Sequence, residues 1–265
     1  MKDLSVFDTN FNTSKLSSYT LMILLSNSSL SYSIVDPIRK IYLAQVHYNL
    51  NPDISLIDSV KNIFEQDKYL TKKYKQVKLI LQNPEFILIP EEFFDKNKIN
   101  EIFKINFEIS PTQEVHFNKV KTGIYVLFSI DNPLLTFLIE KIPEITFYSH
   151  ASVLINYALS NKRSAINIFA NYLDIAKTDV ERILNVRSFQ IADITDAAYI
   201  ILKMFENDKD APITIFGDFE QNTEIIKILK ANLSDCQIFQ NYYLNYNMPL
   251  PKHYFTLLNL AYSVE

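Results

Sequence analysis

YTLMILLSNSSLSYSIVDPIRKIYLAQVHY, residues 19–48, holds three strand-like runs in close succession, at 19–26, 30–36 and 40–48. Each is rich in β-branched and aromatic residues, which suit a pleated, half-buried surface. The links are short and polar, and Asn27-Ser28-Ser29 and Asp36-Pro37 are turn formers, so the stretch predicts an antiparallel meander. A helix follows, with Asp53 placed to cap it and Ile57, Val60 and Phe64 recurring at helical spacing. The apolar run QVKLILQ, residues 76–82, then predicts a buried strand.

Working outward, EFILIP reads as a strand and EEFFDKNKINEIFK as one or two short helices. EVHFNKV and GIYVLFSI read as strands around Lys121-Thr122-Gly123. Residues 132–141 form a helix with Asn132 as cap and Pro133 at its first position. EITFY is a short strand, and residues 151–159 make a further helix. Asn161-Lys162-Arg163-Ser164 is the most polar break in mid-chain, and beyond it the opening pattern returns. SAINIFA, YLDIAKT and ERILNVRSFQI are three strands, followed by a helix capped by Asp193, the strand PITIFG, the helix NTEIIKILKANL and the strand CQIF. Both halves therefore open in the order βββαβ, an internal repeat that organises the whole chain. The tail, residues 249–265, carries a helical stripe at Tyr254, Leu257, Leu258 and Ala261.

With 265 residues, 48% of them hydrophobic, the chain can bury a substantial core. Its net charge of −4 is spread as −1 over residues 1–150 and −3 beyond, and 22 Lys stand against 4 Arg. Nucleic-acid binders carry a basic excess and favour the bidentate guanidinium, so that class is disfavoured. The start MKDLSVFDTN is no secretory signal and no apolar run is long enough to span a bilayer, so a cytoplasmic protein is expected. One cysteine, Cys236, excludes an intrachain disulfide, and in its strand-like setting it reads as a core residue.

Two βββαβα(β) units in tandem, closed by a C-terminal helix, resemble the actin-like ATPase (ribonuclease H-like) fold of actin, sugar kinases, heat-shock chaperones and type IV pilus actin-like proteins. FDTN near the start, YTLMILLSNSSLSYSIVDP, FILIPEEFF and YSHASVLINYAL are similar, more closely, to a Bacteroidetes family with an actin-like fold and no assigned function. The resemblance implies an α/β protein of two domains around a cleft: residues 1–160 with an inserted α/β segment, and residues 161–265 with the closing helix.

The resemblance also says where a nucleotide would sit. Actin-like ATPases hold phosphates with one β-hairpin per domain, each usually bearing Asp-x-Gly. The Asp organises magnesium, and the Gly lets backbone N–H groups approach phosphate oxygens. The first hairpin here has Ser26-Asn27-Ser28-Ser29, with neither Asp nor Gly. The second has Asn171, bulky Tyr172 and a displaced Asp174. The expected Gly-Gly turn is reduced to Gly217-Asp218, and the chain has only one other glycine, Gly123. An ATP and magnesium site, if present, would use Asn27, Ser28, Asn171, Asp174, Gly217 and Asp218. The simpler reading gives Gly217 the end of a strand and Ser26 to Ser28 a hairpin turn.

Other candidates also have plain structural readings. Asp193 with Asp196, and Glu91 with Glu92, sit where helix starts would use them. His47, His116, His150 and His253 share no ligand spacing. Lys68, Lys72, Lys73 and Lys75, interleaved with Tyr69 and Tyr74, form the most basic window, either a solvated loop or a docking patch for an acidic partner. The segment from Asn241, with Tyr242, Tyr243 and Tyr246 beside Pro249 and Pro251, offers either packing or a protein interface. The expected function is a binding or scaffold protein with a degenerate nucleotide site, acting on another protein. The alternative is a divergent actin-like ATPase or small-molecule kinase.

Overall fold

The computed structural model describes residues 2–121, 123–169, 171–179, 182–217 and 224–239. In chain order the elements are β1 (Lys2–Phe7), β2 (Thr20–Leu25), β3 (Ser29–Asp36), β4 (Ile41–Asn49), α1 (Leu56–Gln66), β5 (Gln76–Leu81), β6 (Phe86–Pro90), α2 (Ile99–Asn106), β7 (Gln113–Val120), β8 (Ile124–Asp131), α3 (Asn132–Lys141), β9 (Ile145–Ser149) and α4 (His150–Asn161). They continue as β10 (Ser164–Phe169), β11 (Tyr172–Asp179), β12 (Arg182–Gln190), α5 (Ile194–Met204), β13 (Ile213–Gly217), α6 (Glu224–Asn232) and β14 (Cys236–Ile238). The described residues divide into two compact units, the first built from residues 2–119 and 124–150, the second from 120–123 and 151–239.

In the first unit a six-stranded sheet runs β1-β4-β3-β2-β5-β9. The meander β2-β3-β4 is antiparallel, and β5 and β9 join β2 in parallel. In the second, a five-stranded sheet runs β12-β11-β10-β13-β14, again an antiparallel meander followed by parallel strands. Leaving β1 aside, the two strand orders are the same, so the repeat seen in the sequence is a repeat of topology.

Burial explains why these strands read as nearly continuous apolar runs. Every residue of β2 and of β13 is buried, as expected of strands covered on both faces. One face of the first sheet packs Leu21, Ile23, Leu25, Tyr32, Ile34, Val77 and Leu79 against Val60 and Phe64 of α1 and Leu134 and Leu138 of α3. In the second unit Ile166, Ile168, Leu173, Ile175, Ile213 and Ile215 meet Ala197, Ala198 and Ile201 of α5 and Ile225, Ile226 and Leu229 of α6. Each fully buried Ile or Leu contributes about 1.5–3 kcal/mol, which is what holds these amphipathic helices in place. The segment between β5 and α3 forms a three-stranded sheet, β6-β8-β7, with α2 and its own cluster of Ile89, Ile99, Phe103, Val115 and Leu127. Asn118 of β7 ties it to the main sheet: its amide group donates to Phe147 O at 3.0 Å and its carbonyl accepts from Ser149 N at 2.7 Å.

Three sequence expectations change. β1 falls in a stretch the sequence did not mark as a strand; its run is short, and pairing with β4 supplies the order. Ser55, not Asp53, caps α1, its hydroxyl accepting from Asp58 N at 3.2 Å, while Asp53 belongs to the preceding turn and its N–H donates to Asn51. Asp131 rather than Asn132 occupies the cap position of α3, because the Asn132 N–H is used across the sheet edge by Thr112 O at 2.6 Å.

Candidate functional site

The turn between β2 and β3 is closed from within. Ser26 is buried, and its hydroxyl oxygen accepts from Ser29 N at 3.0 Å and from Ser28 N at 3.3 Å, while Ser26 N donates to Ser29 O at 2.9 Å. A phosphate cradle works by presenting backbone N–H groups to the ligand. Here two of those groups are already bound to a side chain. Asn27 and Ser28 are exposed at the tip.

The second hairpin is closed by rings. Phe169 and Tyr172 face each other across β10 and β11 with centroids 5.7 Å apart, stacked at 27°. Asn171 is exposed at the turn, and its carbonyl accepts from Ile191 N at 2.8 Å. Asp174 lies well inside β11, 1% exposed, paired across the strands with Asn167, whose amide donates to it at 3.3 Å, and on the other side with Ser188. This carboxylate is held within the sheet and is not presented from the hairpin tip. Gly217 ends β13 opposite Ile168 at φ +131°, and a Cβ there would meet Ile168 O at 1.9 Å. Close approach of two strands accounts for this glycine. Asp218 lies outside the described residues.

Lys68, Lys72, Lys73 and Lys75 are exposed on the loop between α1 and β5, with Tyr74 buried beneath them and its hydroxyl donating to Tyr69 O at 3.1 Å. Tyr242, Tyr243, Tyr246 and His253 lie outside the described residues, as does the C-terminal stripe. Asp193 caps α5, accepting from Thr195 N at 2.7 Å and Asp196 N at 3.1 Å, while Asp196 accepts from Ala192 N at 2.9 Å. Those capping amides hold the Asp193 carboxyl below its ordinary range. Glu91 pairs with Lys119 at the start of a single 3-10 turn. Burial lowers His116, with Glu114 nearby opposing it. His47 accepts or donates at 2.7 Å to Ser31, and His150 is fully buried at the β9–α4 switch, 3.3 Å from Leu81 O. Burial pushes the Cys236 thiol up to about 11, which makes it an inert core group.

Sequence reasoning missed a buried polar cluster in the first unit. Asp67, the C-cap of α1, is buried and accepts from Tyr48 OH at 2.5 Å, Tyr32 OH at 2.9 Å, Tyr69 N at 2.8 Å and Leu70 N at 3.3 Å. Burial, reinforced by the Asp67 charge, raises Tyr32, Tyr48 and Tyr74 far above the ordinary phenol value, so all three stay protonated donors. Tyr32 and Tyr48 are on the core face of adjacent strands, and no local sequence pattern ties them to the aspartate at the helix end. In the second unit Arg163 forms a two-pronged pair with Asp235, both contacts at 2.8 Å.

A shallow cavity of about 320 Å³ opens between the ends of α5 and α6, floored by Leu202, Phe205 and Leu233 and rimmed by Lys203, Glu206 and Lys209. Lys203 and Glu206 pair with each other at 2.5 Å. Among the described residues no group of three His, Cys, Asp or Glu side chains has metal-holding geometry. No helix among them is long and apolar enough to cross a membrane.

Comparison with known proteins bears on this geometry. A family model described as a protein of unknown function (DUF3822) matches residues 8–235. A crystal structure of a Bacteroides thetaiotaomicron protein with an actin-like ATPase fold and unknown function superposes with TM-score 0.82 and 23% identity, over 96% of this chain and 99% of that one. The PilM-PilN type IV pilus biogenesis complex matches with TM-score 0.61 and 11% identity, over 93% and 98%. The ethanolamine utilization protein EutJ from Carboxydothermus hydrogenoformans matches with TM-score 0.52 and 10% identity, over 92% and 89%. No curated protein matches the chain in sequence. These likenesses establish the fold, which is that of the actin-like ATPases.

Proposed function

The chain belongs to the DUF3822 family of unknown function, and from that premise we propose that it is a non-catalytic actin-like protein that works by binding another protein. Ser26 carries this proposal. Its hydroxyl takes up the backbone N–H groups of Ser28 and Ser29, which a phosphate in the first hairpin would need. The Phe169–Tyr172 stack and the mid-sheet position of Asp174 support the same reading in the second unit. PilM, of similar fold, is found in a biogenesis complex with PilN. Protein capture by this chain is included in the proposal, with the exposed Lys72, Lys73 and Lys75 offering one cationic surface. Net charge and the scarcity of arginine favour a protein over a nucleic acid as partner.

The test is a thermal-shift and calorimetric titration with ATP, ADP and magnesium, because any ligand of the folded state raises apparent stability by mass action. The expected result is no rise in Tm at millimolar nucleotide. A rise with magnesium-ATP that Asp218→Ala abolishes would overturn the proposal in favour of a divergent ATPase or small-molecule kinase.

A further inference from the structure

The two units carry the same β-bulge with different surroundings. In the first, Ile34 pairs with Ala44 and Val35 with Tyr42, leaving Leu43 as the extra residue. In the second, Lys177 pairs with Asn185 and Thr178 with Ile183, leaving Leu184. Leu43 is 0% exposed and belongs to the core; Leu184 is 55% exposed. The first unit has something the second lacks among the described residues. There β1 adds antiparallel to the outer side of β4, with Ser5 opposite Val46 and Phe7 opposite Ala44, and Asp8 N donates to Leu43 O at 2.9 Å.

In the second unit no described strand pairs with the outer side of β12, which is nine residues long. A long edge of this kind is a template for strand addition, and its bulge does not blunt it, since β4 carries the equivalent bulge and still pairs with β1. Its charge says what would be added. Of the four arginines, Arg39 pairs with Asp36 and Arg163 with Asp235. Arg182 and Arg187 lie exposed on β12, and neither has a carboxylate within ion-pair distance among the described residues. Arg182 is opposite Asp179 and Arg187 opposite Ile175, positions an even number of residues apart on β11, so both belong to one face of the sheet.

We propose that the outer edge of β12 is a docking edge for an extended acidic segment of a partner protein, which adds antiparallel to β12 as β1 adds to β4. Main-chain hydrogen bonds would supply affinity, and carboxylates opposite the two arginines would fix register and choice of partner. This deepens the protein-binding reading above and is tested apart from it: a nucleotide-dependent Tm shift would overturn that reading and leave the edge as it is.

The probe is the capped peptide acetyl-KDLEVFD-amide, the 2–8 sequence with Ser5→Glu, which by analogy with β1 on β4 sets one acid opposite Arg187 and another near Leu184 and Arg182. Hydrogen exchange resolved to single amides, and fluorescence anisotropy of the labelled peptide, are read on the full chain. The outward amides of β12 should exchange quickly in the free protein and become protected by the peptide. The double variant Arg182→Glu, Arg187→Glu should weaken binding about tenfold and should gain affinity for a peptide with lysines in place of the acids. Four results would overturn the proposal. These are no protection at millimolar peptide, binding indifferent to the charge reversal, β12 amides already protected in the free monomer, or protection that rises with protein concentration and so marks a second copy as the occupant.

Discussion

Gly217 and Ile168 are direct partners in the parallel pair of β13 and β10, so close that a Cβ on the glycine would lie 1.9 Å from the Ile168 carbonyl oxygen. The glycine also holds φ +131°, where L side chains are strained. Gly217→Ala must therefore push these core strands apart and adopt a disfavoured backbone, at about 3 kcal/mol or more. Gly123 holds φ +71° in the β7–β8 turn, and for that left-handed backbone alone Gly123→Ala should cost about 1 kcal/mol. Urea unfolding of the two variants compares them directly; equal losses would contradict the close-approach account.

Asp67 is expected to be the most sensitive polar position in the first unit. Asp67→Ala leaves the buried hydroxyls of Tyr32 and Tyr48 and the amides of Tyr69 and Leu70 without this acceptor, and should cost about 3–5 kcal/mol. Tyr32→Phe removes one donor and keeps the ring, so about 1 kcal/mol is expected. Denaturant midpoints separate the two, and a loss for Asp67→Ala no larger than for Tyr32→Phe would show that the carboxylate is not the hub.

The repeat was legible because the strands are short, nearly continuous apolar runs rich in β-branched and aromatic residues and bounded by polar turns. Those signals depend on local composition alone. What stayed hidden depends on pairing between distant segments. β1 becomes a strand through β4, Asp67 gathers tyrosines 35 and 19 residues upstream, and the bulged leucines are equivalent only once the registers are known. The degenerate hairpins could be read as lacking Asp-x-Gly, but the role of the Ser26 hydroxyl in closing the turn is a matter of geometry.

Among the described residues Lys40 and Lys162 hold positive φ without being glycine, and they mark where glycine scarcity has a consequence for stability. Lys162, at φ +53°, ends α4 in a Schellman motif, with Arg163 N donating to Ala158 O at 3.1 Å and Lys162 N to Leu159 O at 3.3 Å. Lys162→Gly relieves the left-handed strain but frees the unfolded chain, and the balance is a gain of about 0.5–1 kcal/mol. A rise in Tm for Lys162→Gly is expected, and a fall would mean that the lysine side chain contributes more than its backbone strain.

Arg163 and Asp235 give the second unit a pH dependence whose sign follows from their pairing. The guanidinium hydrogen bonds hold the Asp235 carboxyl below the ordinary carboxylate value. The stability this pair adds is therefore present above the unfolded pKa, near 4, and is lost as pH falls through the lower folded value. Because the Asp235 side chain is 42% exposed, solvent screening limits the ionic part to about 1 kcal/mol or less. Asp235→Asn should lower stability by about that amount at neutral pH, with the gap from the parent protein closing in acid. Arg163→Ala should cost more, about 2–3 kcal/mol, since it also strips donors from Ile213 O, Asp235 O and the Thr214 hydroxyl. Urea midpoints followed from neutral to acid pH test both, and a gap for Asp235→Asn that widens as pH falls would reverse the assigned sign.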